Sequence, residues 1–326
     1  MQAHSTDEVR HRQVETNGIS LHVAEQGEGP PVILCHGFPH VGYVWHHQMA
    51  VVAAAGFRAI APDMRGYGRS SAPVGPAAYT NLEAVADLMG LLDDLGEERA
   101  VFVGIDFGAA LVWELALRVP ERTRAVIVCN NPFVGRGRRR PSEMWAKMAE
   151  SHFLHLQYFQ TPGPADDELN GKPRQFLSSI YHALSGAYHY LDIWQKPSAG
   201  NSYLEVLPKA PPHPWSWMTT QEFEVFVSEF TRTGFTGGLN WYRALDLNWE
   251  LTEQFAGATV DVPAFFMYGE RDCDMEGFSG MDPLGMMKQR VPDLREVAMI
   301  PEAGHLIQME KPSDVNAVIT RFLKSL

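Results

Sequence analysis

The sequence predicts an α/β fold in which a mostly parallel sheet flanked by helices carries a large helical insertion. Three observations predict it. Short apolar runs alternate with helix-like stretches, several of those runs end in a turn bearing Gly, His or Asp, and the alternation stops after Asn130 and returns only near Pro263. The chain has 326 residues. At about 150 residues per domain, that length fits two domains or one large domain with an insertion.

The elements follow in order. Alternating residues from Gln13 to Ala24 around Asn17-Gly18 predict a β-hairpin, because that dipeptide tolerates the positive φ of a type I′ turn. Pro31 to Cys35 and Arg58 to Pro62 are predicted strands, with a helix from Trp45 to Ala55 between them. A helix from Leu82 to Leu95, a strand from Ala100 to Ile105, a helix from Ala109 to Arg118 and a strand from Ala125 to Cys129 continue the rhythm. Repeated βα units of this kind place helices on both faces of a parallel sheet. The insertion holds most of the aromatic residues, and Gln221 to Phe230 has the period of an amphipathic helix, so a helical cap is expected there. Beyond it come strands Ala264 to Tyr268 and Glu296 to Ile300, the loop Pro301 to His305, and a helix from Pro312 to Leu323 opened by its proline.

Composition narrows the function classes. Apolar residues make up 45% and charged residues 20%, ordinary globular usage that excludes extended disorder and coiled coil. The formal charge of −12 repels phosphate backbones, so no nucleic-acid partner is expected, and no apolar run reaches the length of a membrane span. Cys35, Cys129 and Cys273 are too few and too scattered for a disulfide framework or a zinc site, which fits a reducing compartment. The N-terminal residues are polar where a secretory signal needs an apolar core, and the final Lys-Ser-Leu has the wrong order for a peroxisomal address.

The run Val-Phe-Val-Gly-Ile-Asp-Phe-Gly-Ala-Ala, residues 101 to 110, carries the chemistry. An apolar strand, glycines two residues either side of a central residue, and a following helix make the pattern of a nucleophile elbow, with Asp106 at the centre. The bland alternative is a chance glycine pair with Asp106 as an ordinary helix cap. Neighbouring strand ends weigh against it. His36-Gly37-Phe38-Pro39 follows one strand, where its turn can aim an N–H at an oxyanion beside the N–H of Phe107. Gly269-Glu270-Arg271-Asp272 and Gly304-His305 follow two others, so the side chains of Asp106, Asp272 and His305 meet at the carboxyl edge of the sheet. Asp274 lies on the same side of Asp272 if the segment stays extended, and Asn130 and Asn131 supply no carboxylate.

These motifs together closely resemble the α/β-hydrolase superfamily and, within it, the epoxide hydrolases. The carriers are His36 to Pro39, Asp63 to Ser71 (Asp-Met-Arg-Gly-Tyr-Gly-Arg-Ser-Ser), the elbow, Gln157 to Gly163, Gly238 to Arg243, Gly304-His305, and Gln308 to Pro312. Two of them lie in the insertion. The resemblance implies an eight-stranded sheet, a core of residues 1–130 and 263–326, and a cap of residues 131–262. It implies that Asp106 attacks an epoxide carbon to form an ester that His305, oriented by Asp272, hydrolyses with water, while the N–H groups of Phe38 and Phe107 hold the oxyanion. Ring opening expels an alkoxide, which needs donors from the cap. Tyr242 matches one donor of the family, and His155 stands where many members have a second tyrosine, as in a bacterial branch with a His/Tyr pair; Tyr158 is the nearby alternative. Phe38, Phe107, Trp241 and Leu306 are the expected pocket wall. The implied partners are an epoxide and water, with no cofactor and no metal; the implied location is cytoplasmic, and a homodimer is left open.

Two competing readings follow from the same fold. A dehalogenase shares the Asp and His, but haloacetate enzymes clamp a carboxylate with arginines where this chain has Phe107 and Ala110, and haloalkane enzymes need a Trp at the Phe107 position. A non-catalytic binding protein of the same fold usually lacks a triad member. His46, His47, His152, His182 and His189 are read as structural, Arg136 to Arg140 as a solvated loop, and Arg65 and Arg69 as braces.

Overall fold

The structure, a computed structural model, describes residues 8–276 and 282–326. Eight strands form one sheet in the order β1-β2-β4-β3-β5-β6-β7-β8. They are β1 (Arg10–Thr16), β2 (Ile19–Gln26), β3 (Pro31–Cys35), β4 (Arg58–Pro62), β5 (Ala100–Ile105), β6 (Thr123–Cys129), β7 (Ala264–Gly269) and β8 (Leu294–Ile300). The β1–β2 hairpin and the β2–β4 pair are antiparallel, and every later pair is parallel. Asn17 and Gly18 turn the hairpin with φ of 44° and 73°. That is the geometry a type I′ turn demands.

β3 and β5 are buried along their whole length, as strands covered on both faces must be. Helices α1 (His46–Ala54) and α12 (Pro312–Leu323) pack together on the sheet, as do α2 (Asn81–Asp94) and α3 (Phe107–Arg118). β8 begins two residues before the expected Glu296 and is only half-buried, because an edge strand keeps a wet side and loses its apolar pattern. The α3 helix begins at Phe107 rather than Ala109, since the N–H groups of Ala109 and Ala110 already bond to the Asp106 carbonyl.

From Pro132 to Pro263 the chain leaves the sheet, and its regular elements there are helices: α4 (Pro141–Ala149), α5 (His155–Tyr158), α6 (Pro164–Gly171), α7 (Pro173–Leu184), α8 (Tyr203–Val206), α9 (Thr220–Thr233), α10 (Thr236–Arg243) and α11 (Leu245–Glu250). In α9 the buried residues Phe223, Phe226, Val227 and Phe230 fall on one stripe, and Thr219 and Glu222 cap its start reciprocally. The basic run is an exposed loop, as expected, tied down at its two ends. The Arg136 guanidinium lies 3.8 Å from the Trp249 ring centre and donates to the Trp249 carbonyl at 3.0 Å, and Arg140 pairs with Glu250, tying the two ends of the insertion together.

The loop after β4 is held by buried ion pairs. Arg65 donates through Nε (2.7 Å) and Nη2 (2.5 Å) to Asp87 of α2, while its carbonyl accepts from the Trp241 indole at 3.0 Å. Asp63 accepts from the N–H groups of Gly42 (2.8 Å) and Arg69 (3.0 Å). Both Arg65 and Asp87 are buried, so removing one leaves a charge without a partner. Arg65→Ala is expected to cost about 3–5 kcal/mol of unfolding free energy. A urea titration checks this; an unchanged midpoint contradicts it.

Candidate active site

The strand-to-helix turn after β5 places Asp106 at φ 57° and ψ −124°, a conformation that costs a non-glycine residue on the order of 1–3 kcal/mol. The flanking glycines serve by lacking a side chain. A Cβ on Gly104 would sit 2.2 Å from the Gly108 carbonyl oxygen, and one on Gly108 would sit 2.1 Å from the Cys35 carbonyl oxygen. The turn can be this tight only without those atoms, and it sets the Asp106 carboxylate at the N-terminus of α3.

The N–H of Phe38 donates to Asp106 Oδ1 at 2.8 Å, and the N–H of Phe107, at the start of α3, adds to the stabilisation of this carboxylate. His305 Nε2 lies 3.6 Å from the other oxygen, Oδ2. Burial opposes ionisation of Asp106, but the neighbouring His305 imidazolium and the two N–H groups outweigh it and lower the pKa. Nδ1 of His305 meets Asp272 Oδ2 at 2.7 Å, and Asp272 Oδ1 accepts from the N–H of Asp274 at 2.7 Å. Burial works against an imidazolium here, yet Asp272 and Asp106 together raise the His305 pKa well above its usual value.

Of the two candidate acids, Asp272 holds the imidazole. Asp274 Oδ2 is 3.9 Å from His305 Nδ1 and accepts instead from Asn131 Nδ2 at 2.8 Å. The chain turns after Asp272 into a short 3₁₀ segment, Cys273–Met275, but still brings Asp274 to the cavity. Burial, then the charges of Asp272 and Asp106, push the Asp274 carboxyl up to about 7 against the pull of His305 and Asn131. Asn130 has a structural role the sequence reading did not assign: its amide donates to the His305 carbonyl at 2.6 Å and accepts from the N–H of Gly269 at 3.0 Å. Glu310 likewise accepts from Gly304, Leu306 and Gly186, fixing the loop that presents His305.

A small cavity of about 60 Å³ lies over Asp106. The sheet side contributes Phe38, Asp106, Asp274 and His305, and the insertion contributes His155, Ile180, Tyr190, Tyr203 and Tyr242. Burial lowers the His155 pKa to about 4, leaving a neutral imidazole, and burial followed by the Asp106 charge raises that of Tyr242, leaving a protonated phenol. Both are therefore hydrogen-bond donors at neutral pH. Their rings are 5.8 Å apart and perpendicular. Tyr158 is turned away, its hydroxyl donating to Glu168 at 2.9 Å. Larger depressions, such as the groove of about 680 Å³ beside Lys172 and Lys209, are open and hold no comparable set of groups.

Phe38 borders the cavity as expected, but Phe107, Trp241 and Leu306 do not. Adjacent residues on a helix point about 100° apart, so when Tyr242 faces the cavity Trp241 turns into the core, where its indole reaches Arg65. Phe107 packs behind Tyr242 with ring centres 4.6 Å apart, and Leu306 is fully buried. Tyr190 and Tyr203 were not foreseen. Among the expected structural histidines, His46 meets Glu222 at 3.0 Å, His152 the Trp194 carbonyl at 3.0 Å, and His189 Glu276 at 2.9 Å.

Residues 30–193 match the alpha/beta hydrolase fold family. Epoxide hydrolase A of Mycobacterium tuberculosis is 41% identical over 318 residues, covering 97% of each chain. The bifunctional epoxide hydrolase 2 of Mus musculus is 35% identical over 94% of this chain and 54% of its own length. Among solved structures, Epoxide Hydrolase A from Mycobacterium thermoresistibile superposes with a TM-score of 0.91 at 41% identity, covering 97% of this chain and 98% of that one. The chain belongs to the α/β-hydrolase-fold family and, within it, to the epoxide hydrolases.

The two carboxylates beside His305 are separable by mutation. Asp272→Asn is expected to lower turnover by about 10³- to 10⁴-fold, as loss of the orienting acid does in comparable triads. Asp274→Asn should cost about 10- to 100-fold, well short of that. Steady-state kinetics checks both, and equal losses would contradict the assignment.

Proposed function

We propose that the protein is an epoxide hydrolase that adds water to an epoxide, giving a vicinal diol, through an ester on Asp106. The observation that carries this reading is one cavity with an ionised carboxylate on its floor, two neutral hydrogen-bond donors on the cap side, and a His–Asp pair beside the carboxylate. A carboxylate displaces at saturated carbon without prior deprotonation, and the donors meet the oxygen that leaves.

In the proposed reaction, Asp106 Oδ2 attacks a ring carbon and the carbon–oxygen bond of the epoxide breaks. Tyr242 and His155 hold the developing alkoxide, which takes its proton from the Tyr242 phenol. Oδ1 stays against the Phe38 and Phe107 N–H groups and becomes the carbonyl oxygen of the ester. Alkylation cancels the Asp106 charge, one of the causes that keep His305 protonated, so His305 gives up its proton, which passes through cavity water to the Tyr242 phenolate and restores the phenol, and the imidazole becomes a base. It then takes a proton from water as the water attacks the ester carbonyl, and the two N–H groups hold the tetrahedral oxyanion; collapse breaks the ester C–O bond, and the leaving oxygen takes the proton of the new Asp106 carboxyl, giving the diol and the carboxylate.

The same reading divides the chain into a core of residues 1–130 and 263–326 and a cap of 131–262, with the cap supplying the ring-opening donors. Its substrate is an uncharged epoxide, because no Lys or Arg borders the cavity among the described residues and two carboxyls do. A cytoplasmic location is part of the reading, supported by three buried free cysteines. No described helix is long and apolar enough to cross a membrane.

Incubation with styrene oxide is expected to yield the diol, while fluoroacetate and a bromoalkane release no halide. Halide without diol, or no product at all, contradicts the reading. Asp106→Asn, which replaces the anion with a neutral amide much as alkylation does, should lower the His305 pKa. An NMR titration of the imidazole checks the sign; an unchanged pKa contradicts the proposed base switch.

A further inference from the structure

The geometry points to Tyr190 and Tyr203 as positioning residues whose hydroxyls form a one-way hydrogen-bond chain that fixes His155 as its Nε2–H tautomer, with that N–H presented to the cavity. The inference rests on the ring-opening role proposed for His155. A neutral imidazole carries its proton on either nitrogen, and only the nitrogen that carries it can donate to an alkoxide. Something must select the tautomer.

The selection follows from counting protons. The Tyr190 hydroxyl lies 2.9 Å from His155 Nδ1 and 2.6 Å from the Tyr203 hydroxyl. Tyr203 is 1% exposed, and Tyr190 is its one hydroxyl partner among the described residues. A buried phenol keeps its proton and has to donate it, because an unmet donor costs about 1–3 kcal/mol. The Tyr203 proton therefore goes to the Tyr190 oxygen. Tyr190 then has one proton left to give, and its remaining partner is His155 Nδ1. Nδ1 accepts, so Nε2 bears the hydrogen.

The rings keep this order in place. His155 lies parallel to the Tyr203 ring at 5.8 Å between centres, with planes 9° apart, and edge-on to Tyr190 at 6.0 Å. Tyr203 is anchored from its own backbone, where the N–H groups of Tyr203 and Leu204 donate to Glu168 at 3.2 and 3.0 Å. Nε2 makes no bond to a described residue, and the ring borders the cavity that holds Asp106 and Tyr242. A neutral imidazole N–H is a weaker acid than a phenol, so the ordered His155 stabilises the alkoxide by donation while Tyr242 transfers the proton.

The test reads the tautomer directly. Two-bond ¹H–¹⁵N correlation spectra of the histidine-labelled enzyme, with His155 assigned by His155→Gln, should show a protonated Nε2 and a bare Nδ1. In Tyr190→Phe the preference should weaken, and Tyr203→Phe should shift it the same way by less. Rapid mixing with styrene oxide should show Tyr190→Phe slowing the alkylation step about 10-fold, with ester hydrolysis at its wild-type rate. A purely structural defect would disturb both steps. Protonated Nδ1 in the wild type overturns the inference, as does a Tyr190→Phe enzyme with unchanged tautomer and alkylation rate. Absence of diol from the wild type would defeat the proposed function instead, and the spectrum would still read the tautomer.

Discussion

Keeping the Asp106 carboxylate ionised where little water reaches it is the constraint from which the other features of the site follow. A buried carboxyl tends to hold its proton, and a protonated Asp106 is no nucleophile. Two backbone N–H groups, the N-terminus of α3 and a cationic His305 reverse that tendency. They come from three different strand ends. The N–H of Phe38 follows β3, the N–H of Phe107 opens the helix after β5, and His305 follows β8. The parallel sheet matters because it brings these ends to one edge in fixed register, at the place where open α/β sheets bind their ligands.

In the proposed mechanism, the same charge arrangement lets one site serve two steps of opposite electrostatic demand. Before alkylation an anion faces a cation; after it, a neutral ester faces an imidazole that has lost one of its anionic neighbours. His305 need not move for its basicity to change. Asp272 bonds to Nδ1 and so directs Nε2 toward Asp106, and Asn130 and Glu310 hold the backbone that carries the ring. On the cap side the logic is reversed. His155 and Tyr242 are kept neutral by burial, so they supply hydrogens without adding a positive charge that would quench the nucleophile.

Three buried strands could be read to the residue, whereas β6, expected from Ala125, begins two residues earlier at Thr123. β3, β4 and β5 begin and end where the apolar runs do, because strands buried on both faces admit no polar interruption. The edge strand β8 was read short, since its half-wet surface dilutes that signal. Asp106, Asp272, His305, Tyr242 and His155 were legible as candidates from motifs at strand ends and in the cap. Trp241 was misplaced by one helical step, a direction that depends on how α10 is rotated against the core and that no local pattern encodes. Tyr190 and Tyr203 were illegible for a different reason. Tyr190 is 35 residues from His155, beyond α6 and α7, and 13 residues from Tyr203 at the start of α8, so both contacts are set by how these helices pack together, which no local period encodes.

The account stands on Asp106 forming a covalent ester, and isotope placement tests that most directly. One turnover of excess enzyme with an epoxide in ¹⁸O-water, followed by proteolysis and mass spectrometry, should put the label in the Asp106 carboxylate and leave the diol unlabelled, because water attacks the ester carbonyl. Labelled diol with an unlabelled Asp106 would mean that water opens the ring directly, and the account would be wrong at its centre.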